Sequence, residues 1–310
     1  MTHRERAITV LQRKQPDYVP TFELEYQLED IVFGKPFLHQ EDLDKMTMAE
    51  QEKALAENAE YMVKVYTALG HSIIPVDYFN LENTLKTAKL INQMTNDEFM
   101  LTTHGDGTFA IPDGDGLVQF VYWLYDNPED GLKVAEKNAQ EAIERNKRYI
   151  DGGIQSLKLC SDYCFNSGPF VSPDMFAEFI QPYLHKICRS IREEGGYSIK
   201  HTDGNIMPIL QMLVDCEPDA IHSLDPMAGV DIKEVKRLVS DKVALCGNVH
   251  CAHLQTGTDE QVLESCRYAM ENGKPGGGYF FCTSNIPFRG MPVERYQMVL
   301  DFWNANKYYD

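Results

Sequence analysis

The sequence predicts an α/β fold, a TIM (β/α)8 barrel with a decorated mouth, and three observations carry that expectation. Short apolar runs recur along the 310 residues, most of them followed by a stretch of helical period. Counted near Val19, Ile73, Val118, Ile154, Ile199, Ile221, Val243 and Tyr279, they number eight. Several end in polar or ligating side chains just before a turn, where barrels of this kind hold their reactive groups. No compositional shift marks a linker, so one domain spanning residues 1–310 is the economical organisation.

Arg4 to Arg13 reads as a short amphipathic helix, and Tyr18 to Tyr26 as a first strand ending near Glu23, Glu25 and Tyr26. A long helical pattern from Leu43 to Leu69 stops at Gly70. His71 to Tyr78 supplies the second strand, ending in the acid and phenol of Asp77 and Tyr78. Between Leu85 and Tyr125 turn signals crowd around short apolar runs, which suggests hairpins at the barrel mouth leading to a third strand over Val118–Tyr125. The Asp-Gly pairs between Asp106 and Gly116 read as turns, because their spacing is not that of an EF-hand.

A helix after Pro128 ends at Gly152-Gly153, and the next strand runs from Ile154 towards Asp162 and Tyr163. Ser172 with Pro173 is a helix start, and that helix continues to Gly195-Gly196. From there strand and helix alternate regularly: Asp219–Leu224, Asp231–Val239, Val243–Asn248, Asp259–Asn272, Gly276–Asn285 and Pro292–Asn306.

The reactive stretch is Tyr197 to Asn205. Tyr197, Ile199 and His201 alternate on one face of a strand, Gly204 breaks it, and His201 with Asp203 can ligate a metal or move protons. The plainer alternative makes His201 a hydrogen-bonded core residue and Asp203 a helix cap. His222 is open to the same two readings.

Charge excludes partners more firmly than it names them. Against 47 acidic residues stand 29 basic ones, a net charge of −18 that repels nucleic acid and anionic lipid. No apolar window reaches membrane-span length and the N-terminus lacks a signal core, so a cytoplasmic protein is expected. Eight cysteines without a framework spacing fit free thiols in a reducing compartment. No arginine lies between Arg13 and Arg145.

The run His201-Thr-Asp-Gly-Asn205, then Ile221-His-Ser-Leu-Asp-Pro, Leu245-Cys-Gly-Asn-Val and Gly276-Gly-Gly-Tyr-Phe-Phe, resembles the carboxyl half of the uroporphyrinogen decarboxylase superfamily. The resemblance is specific from about Asp162 onwards and weak before it. It implies a TIM barrel, and either a decarboxylase or a corrinoid-dependent methyltransferase, many of the latter with zinc. The decarboxylases meet a polycarboxylate with an arginine-rich element near the N-terminus; here that region reads Thr21-Phe-Glu-Leu-Glu-Tyr26.

The resemblance therefore points to the methyltransferase branch, with His201, Asp203 and Cys282 as the expected metal ligands. The branch uses H-x-C and a distant second Cys; this chain has Asp203 in the first Cys position and Asn285 about where the second would fall. Catalytic roles are expected for His201, Asp203, Asp77 and Tyr78, and substrate contacts for Glu23, Glu25, Tyr26, Asp162, Tyr163 and Asn285. Glu23, Glu25 or Asp162 could also complete the metal shell. The expected partners are a small methyl donor, a methoxylated aromatic being favoured, and a corrinoid carried on a partner protein. A homodimer is left open. A porphyrinogen-type lyase and a non-catalytic ligand-binding barrel are the alternatives.

Overall fold

Ala7, Val10 and Leu11 fall three and four residues apart, which gives the first helix, His3–Leu11, one apolar edge. That edge packs with Phe22, Ile73, Met100, Ile199, Ala220, Ala244 and Phe280, the inward-facing residues of a parallel sheet. Arg4 donates its amide to Glu98 O, just below the start of a strand, so the helix stops the sheet's N-terminal end. The computed structural model describes residues 1–112 and 114–309.

Nine strands are described: β1 Ile73–Pro75, β2 Met100–His104, β3 Ser156–Leu159, β4 Cys164–Phe165, β5 Gly168–Pro169, β6 Tyr197–His201, β7 Ala220–Ser223, β8 Ala244–Val249 and β9 Tyr279–Thr283. Seven of them form a parallel sheet in the order β1-β2-β3-β6-β7-β8-β9, while β4 and β5 make a two-residue antiparallel hairpin. Thr21 bridges to His71 on one edge and to Phe281 on the other. Ser72 donates to Thr21 O at 2.8 Å and Phe281 to Pro20 O at 3.0 Å, which closes the ring into a (β/α)8 barrel. Of the first expected strand, Thr21 alone thus joins the ring, while Tyr18 bridges to Tyr308 outside it.

Side-chain alternation divides the core in two. Inward residues such as Ile199, Ala220, Cys246 and Phe280 fill the cylinder, whereas Leu157, Ile221, Leu245 and Phe281 pack outward beneath the helices. The helices begin where the sequence supplies caps: Thr47, Asn80, Ser172, Asp231 and Thr258 each accept a first-turn amide.

One expected strand is corrected. Residues 117–126 form a helix, Leu117–Asp126, and the strand of that unit is β2, Met100–His104, after a helix over Leu81–Thr95. Phe120 packs inward, edge-on to Phe109 and stacked with Phe170, but Val118, Tyr122 and Tyr125 face solvent, so apolar residues lie on both sides of the helix. A run apolar on two sides carries no period to separate helix from strand. Of the Asp-Gly turns, Asp113 lies outside the described residues. No helix among those described is long and apolar enough to cross a membrane.

Candidate functional site

The polar ends of β3, β6, β7 and β9 converge at the open end of the barrel. Tyr197, Ile199 and His201 share the inward face of β6; Ile199 sinks into the interior core and His201 stands one layer above it. Three residues on, Gly204 has φ +81°, and a Cβ there would sit 2.4 Å from Cys164 O and 2.7 Å from Phe165 O. Only glycine lets the chain turn beneath the β4–β5 hairpin at this point. Asp162 follows β3, and its Oδ1 accepts the Asp203 amide at 3.0 Å.

His201, Asp162 and Asp203 therefore form one group whose ligand atoms all lie within 4.8 Å of one another. His201 Nε2 is 3.7 Å from Oδ1 of Asp162 and 3.7 Å from Oδ1 of Asp203. Those separations are too long for hydrogen bonds. They are close to the spacing of about 3.3 Å that two donors take around a tetrahedral zinc at about 2.0–2.1 Å. His201 Nδ1 and His222 Nδ1 share a hydrogen across 3.0 Å.

Asp203 is clamped on both oxygens. Ser223 Oγ donates to its Oδ1 at 2.8 Å and Asn285 Nδ2 to its Oδ2 at 2.5 Å. Burial pushes its carboxyl up to about 7, and the charges of Asp162 and Asp225 add to the rise. Burial pushes His201 down to about 4; Asp162 opposes that shift while Lys200 and Lys158 reinforce it. His222 is driven well below its ordinary range, first by burial and then by His201. A neutral imidazole facing crowded carboxylates is a donor set that suits a divalent cation of zinc's type.

Two buried ammonium groups frame the group. Lys200, with no exposed surface, bonds to Asp106 Oδ2 at 3.0 Å and Ser161 O at 2.8 Å and lies 4.0 Å above the Tyr163 ring. Asp106 in turn takes the Ser161 amide, so this pair fixes the loop that carries Asp162. Inside the barrel, Lys158 bonds to Asp77 and to Leu24 O. His104 stands 3.9 Å from the same Asp77 carboxylate, whose Oδ1 is buried without a partner among the described residues.

The remaining expected residues are distributed unevenly. Cys282 lies in the interior apolar layer, its thiol 4.0 Å from Phe280 O of its own strand, and Asp162 stands in the ligand group where Cys282 was expected. Glu23 points outward to Thr283 and the Tyr296 hydroxyl, and burial pushes its carboxyl up to about 8. Tyr26 packs on Tyr296 and His71. Tyr78 packs on Phe37 and His39, with its hydroxyl 3.5 Å from that of Tyr66. Tyr163 is wholly buried against Phe176 and bonded to Thr108 Oγ1. Glu25 is half-buried and accepts from Gln27.

Sequence reasoning missed Lys158, Lys200, Ser223 and His104. The two lysines had a visible signal: each interrupts an apolar strand, in Ser156-Leu-Lys-Leu159 and Tyr197-Ser-Ile-Lys200.

Residues 108–305 match the family model of uroporphyrinogen decarboxylase (URO-D). Among curated relatives, the uroporphyrinogen decarboxylase of Pseudoalteromonas translucida is 29% identical over 153 residues, 47% of this chain and 40% of that protein. That of Thioalkalivibrio sulfidiphilus is 24% identical over 188 residues, 57% of this chain and 49% of that protein. The matches thus span under half the length of these relatives. Among solved structures, a methyltransferase from Methanosarcina mazei superposes with a TM-score of 0.76 at 15% identity, covering 98% of this chain and 99% of that one. That likeness concerns the fold.

Proposed function

The chain belongs to the uroporphyrinogen decarboxylase (URO-D) family, and on that premise we propose that it is a zinc-assisted methyltransferase. It would move a methyl group from a small methylated donor to a corrinoid carried by a partner protein. The observation that carries this reading is the Asp162–His201–Asp203 group, three ligand atoms gathered at the barrel mouth with hydrogen-bonded supports behind them. Bound there, zinc supplies Lewis acidity to the heteroatom that gives up the methyl group.

The chain's own residues do the rest. Ser223 and Asn285 hold the Asp203 carboxylate in one orientation, and Lys200 with Asp106 holds the loop bearing Asp162. Asp77, fixed by Lys158 and flanked by His104, offers its unpartnered oxygen to a donor hydrogen of the substrate. Phe165, exposed in the β4–β5 hairpin, and Met227, exposed on the connection after β7, give the rim apolar points on which a carrier protein would seat. The favoured donor is a methoxylated aromatic.

A lyase acting on a polycarboxylate is the second reading, favoured by the curated relatives' names and by Asp77 at the end of β1. Its weakness is charge. Lys158 and Lys200 are already bonded to Asp77 and Asp106, which leaves Asp162, Asp203 and Asp225 to repel an anionic substrate.

Elemental analysis of the purified protein and of His201→Ala tests the proposal. Stoichiometric zinc in the native protein and its loss in the variant are expected, together with methyl transfer from methoxybenzoates to cob(I)alamin. Native protein with no zinc and no transfer, but with loss of carbon dioxide from a porphyrinogen, gives the lyase reading instead.

A further inference from the structure

We infer that His222 is a positioning residue that selects the tautomer of His201, accepting the Nδ1 hydrogen so that the Nε2 lone pair faces Asp162 and Asp203. The inference rests on the metal reading above, but its geometry stands apart from it. Both rings are buried in the barrel, and the 3.0 Å contact between their Nδ1 atoms is a hydrogen bond, in which one ring donates and the other accepts.

Suppose His222 donated. His201 would then carry its hydrogen on Nε2, aimed at two carboxylate oxygens 3.7 Å away, beyond hydrogen-bond range. Those oxygens already have donors, the Asp203 amide at 3.0 Å and Ser223 Oγ at 2.8 Å. His222 would also be left with a buried Nε2 lone pair that has no partner among the described residues.

With His201 as donor these conflicts ease. His222 then bears its hydrogen on Nε2, and its ring lies 6.0 Å from that of Phe22. An N–H tolerates an aromatic neighbour better than a lone pair does. A ligating histidine commonly donates its second ring nitrogen in this way, usually to a carboxylate or carbonyl. Here a second imidazole, 21 residues further along the chain on the neighbouring strand β7, takes that place.

The test has two arms. In zinc-free native protein labelled with 15N-histidine, and with His201→Ala to assign the ring, the His201 hydrogen is expected on Nδ1. For zinc, measured by competition with a chromophoric chelator, His222→Phe keeps the ring volume without an acceptor and is expected to bind 10- to 100-fold more weakly. His222→Gln restores an acceptor and should recover most of that loss. A hydrogen on Nε2 overturns the inference, as does zinc binding by His222→Phe equal to native. If native protein binds no zinc, the metal reading fails and the tautomer decides the inference alone.

Discussion

The amide of Asn285, on the loop after β9, donates to the carboxylate of Asp203, on the loop after β6, across 2.5 Å. Ser223 at the end of β7 grips the other oxygen at 2.8 Å. Three strands therefore share in aiming one carboxylate. Asn285 acts through Asp203, which is why an amide, a poor ligand itself, fits at this position.

Asn285→Ala frees that oxygen without adding charge. Zinc affinity should fall about 10-fold, the lower end of what loss of an outer hydrogen bond produces. Chelator competition reads the change, and a variant that holds zinc as the native protein does would remove Asn285 from the site's support.

Asp106 and Lys200 form a buried ion pair. Burial alone would raise the Asp106 carboxyl, but Lys200 and the hydrogen bonds from Thr108 and Ser161 prevail and hold it at about 2. The folded value lies below the unfolded one, so this contribution is complete above pH ~4 and is lost as pH falls from about 4 towards 2. Asp106→Asn leaves Lys200 without its counter-charge and should destabilise by about 3–5 kcal/mol at neutral pH, with a flatter acid limb, as read by urea unfolding between pH 2 and 7.

Glu23 has the opposite sign. Burial raises its carboxyl to about 8, and its partners among the described residues, Thr283 and Tyr296, carry no positive charge. Between pH ~4.5 and ~8 the folded chain keeps a proton that the unfolded chain has released, so stability falls by up to about 1.4 kcal/mol per pH unit as pH rises through that window. Glu23→Gln should remove this slope. Melting temperatures of the two proteins should match near pH 4 and separate by pH 9 in the variant's favour; parallel curves would refute the assignment.

Gly204→Ala should destabilise by more than about 1 kcal/mol, because the new methyl meets Cys164 O at 2.4 Å with φ already at +81°. The hairpin must move, and Asp203 beside it moves too. Weaker zinc binding together with a lowered melting temperature is the expected result.

The carboxyl half was legible because its strands are short, apolar and bounded by glycines and caps; β6, β7, β8 and β9 stand within a few residues of their expected places. The β2 unit was not. Leu117–Asp126 outshone Met100–His104 in apolar content, although the strand earns its place through register with β1 and β3. For the site, His201 and Asp203 could be seen as neighbours on one strand end. Asp162 was visible only as a candidate, since its approach depends on the pairing of β3 with β6. Cys282 shows the limit of spacing: strand alternation turns its side chain into the interior layer while Asn285, three residues on, reaches Asp203.

The ring that carries these loops is unevenly fastened. Where β8 and β9 run side by side for five paired positions, the seam on either side of Thr21 is joined by single bridges. Like a bracelet with one clasp, the cylinder has a place where it would first part, and backbone amides of Ser72 and Phe281 should exchange with solvent ahead of those in the β8–β9 ladder. The ends of β3 and β6, which carry Asp162, His201 and Asp203, lie away from that clasp, so loosening there would leave this group standing.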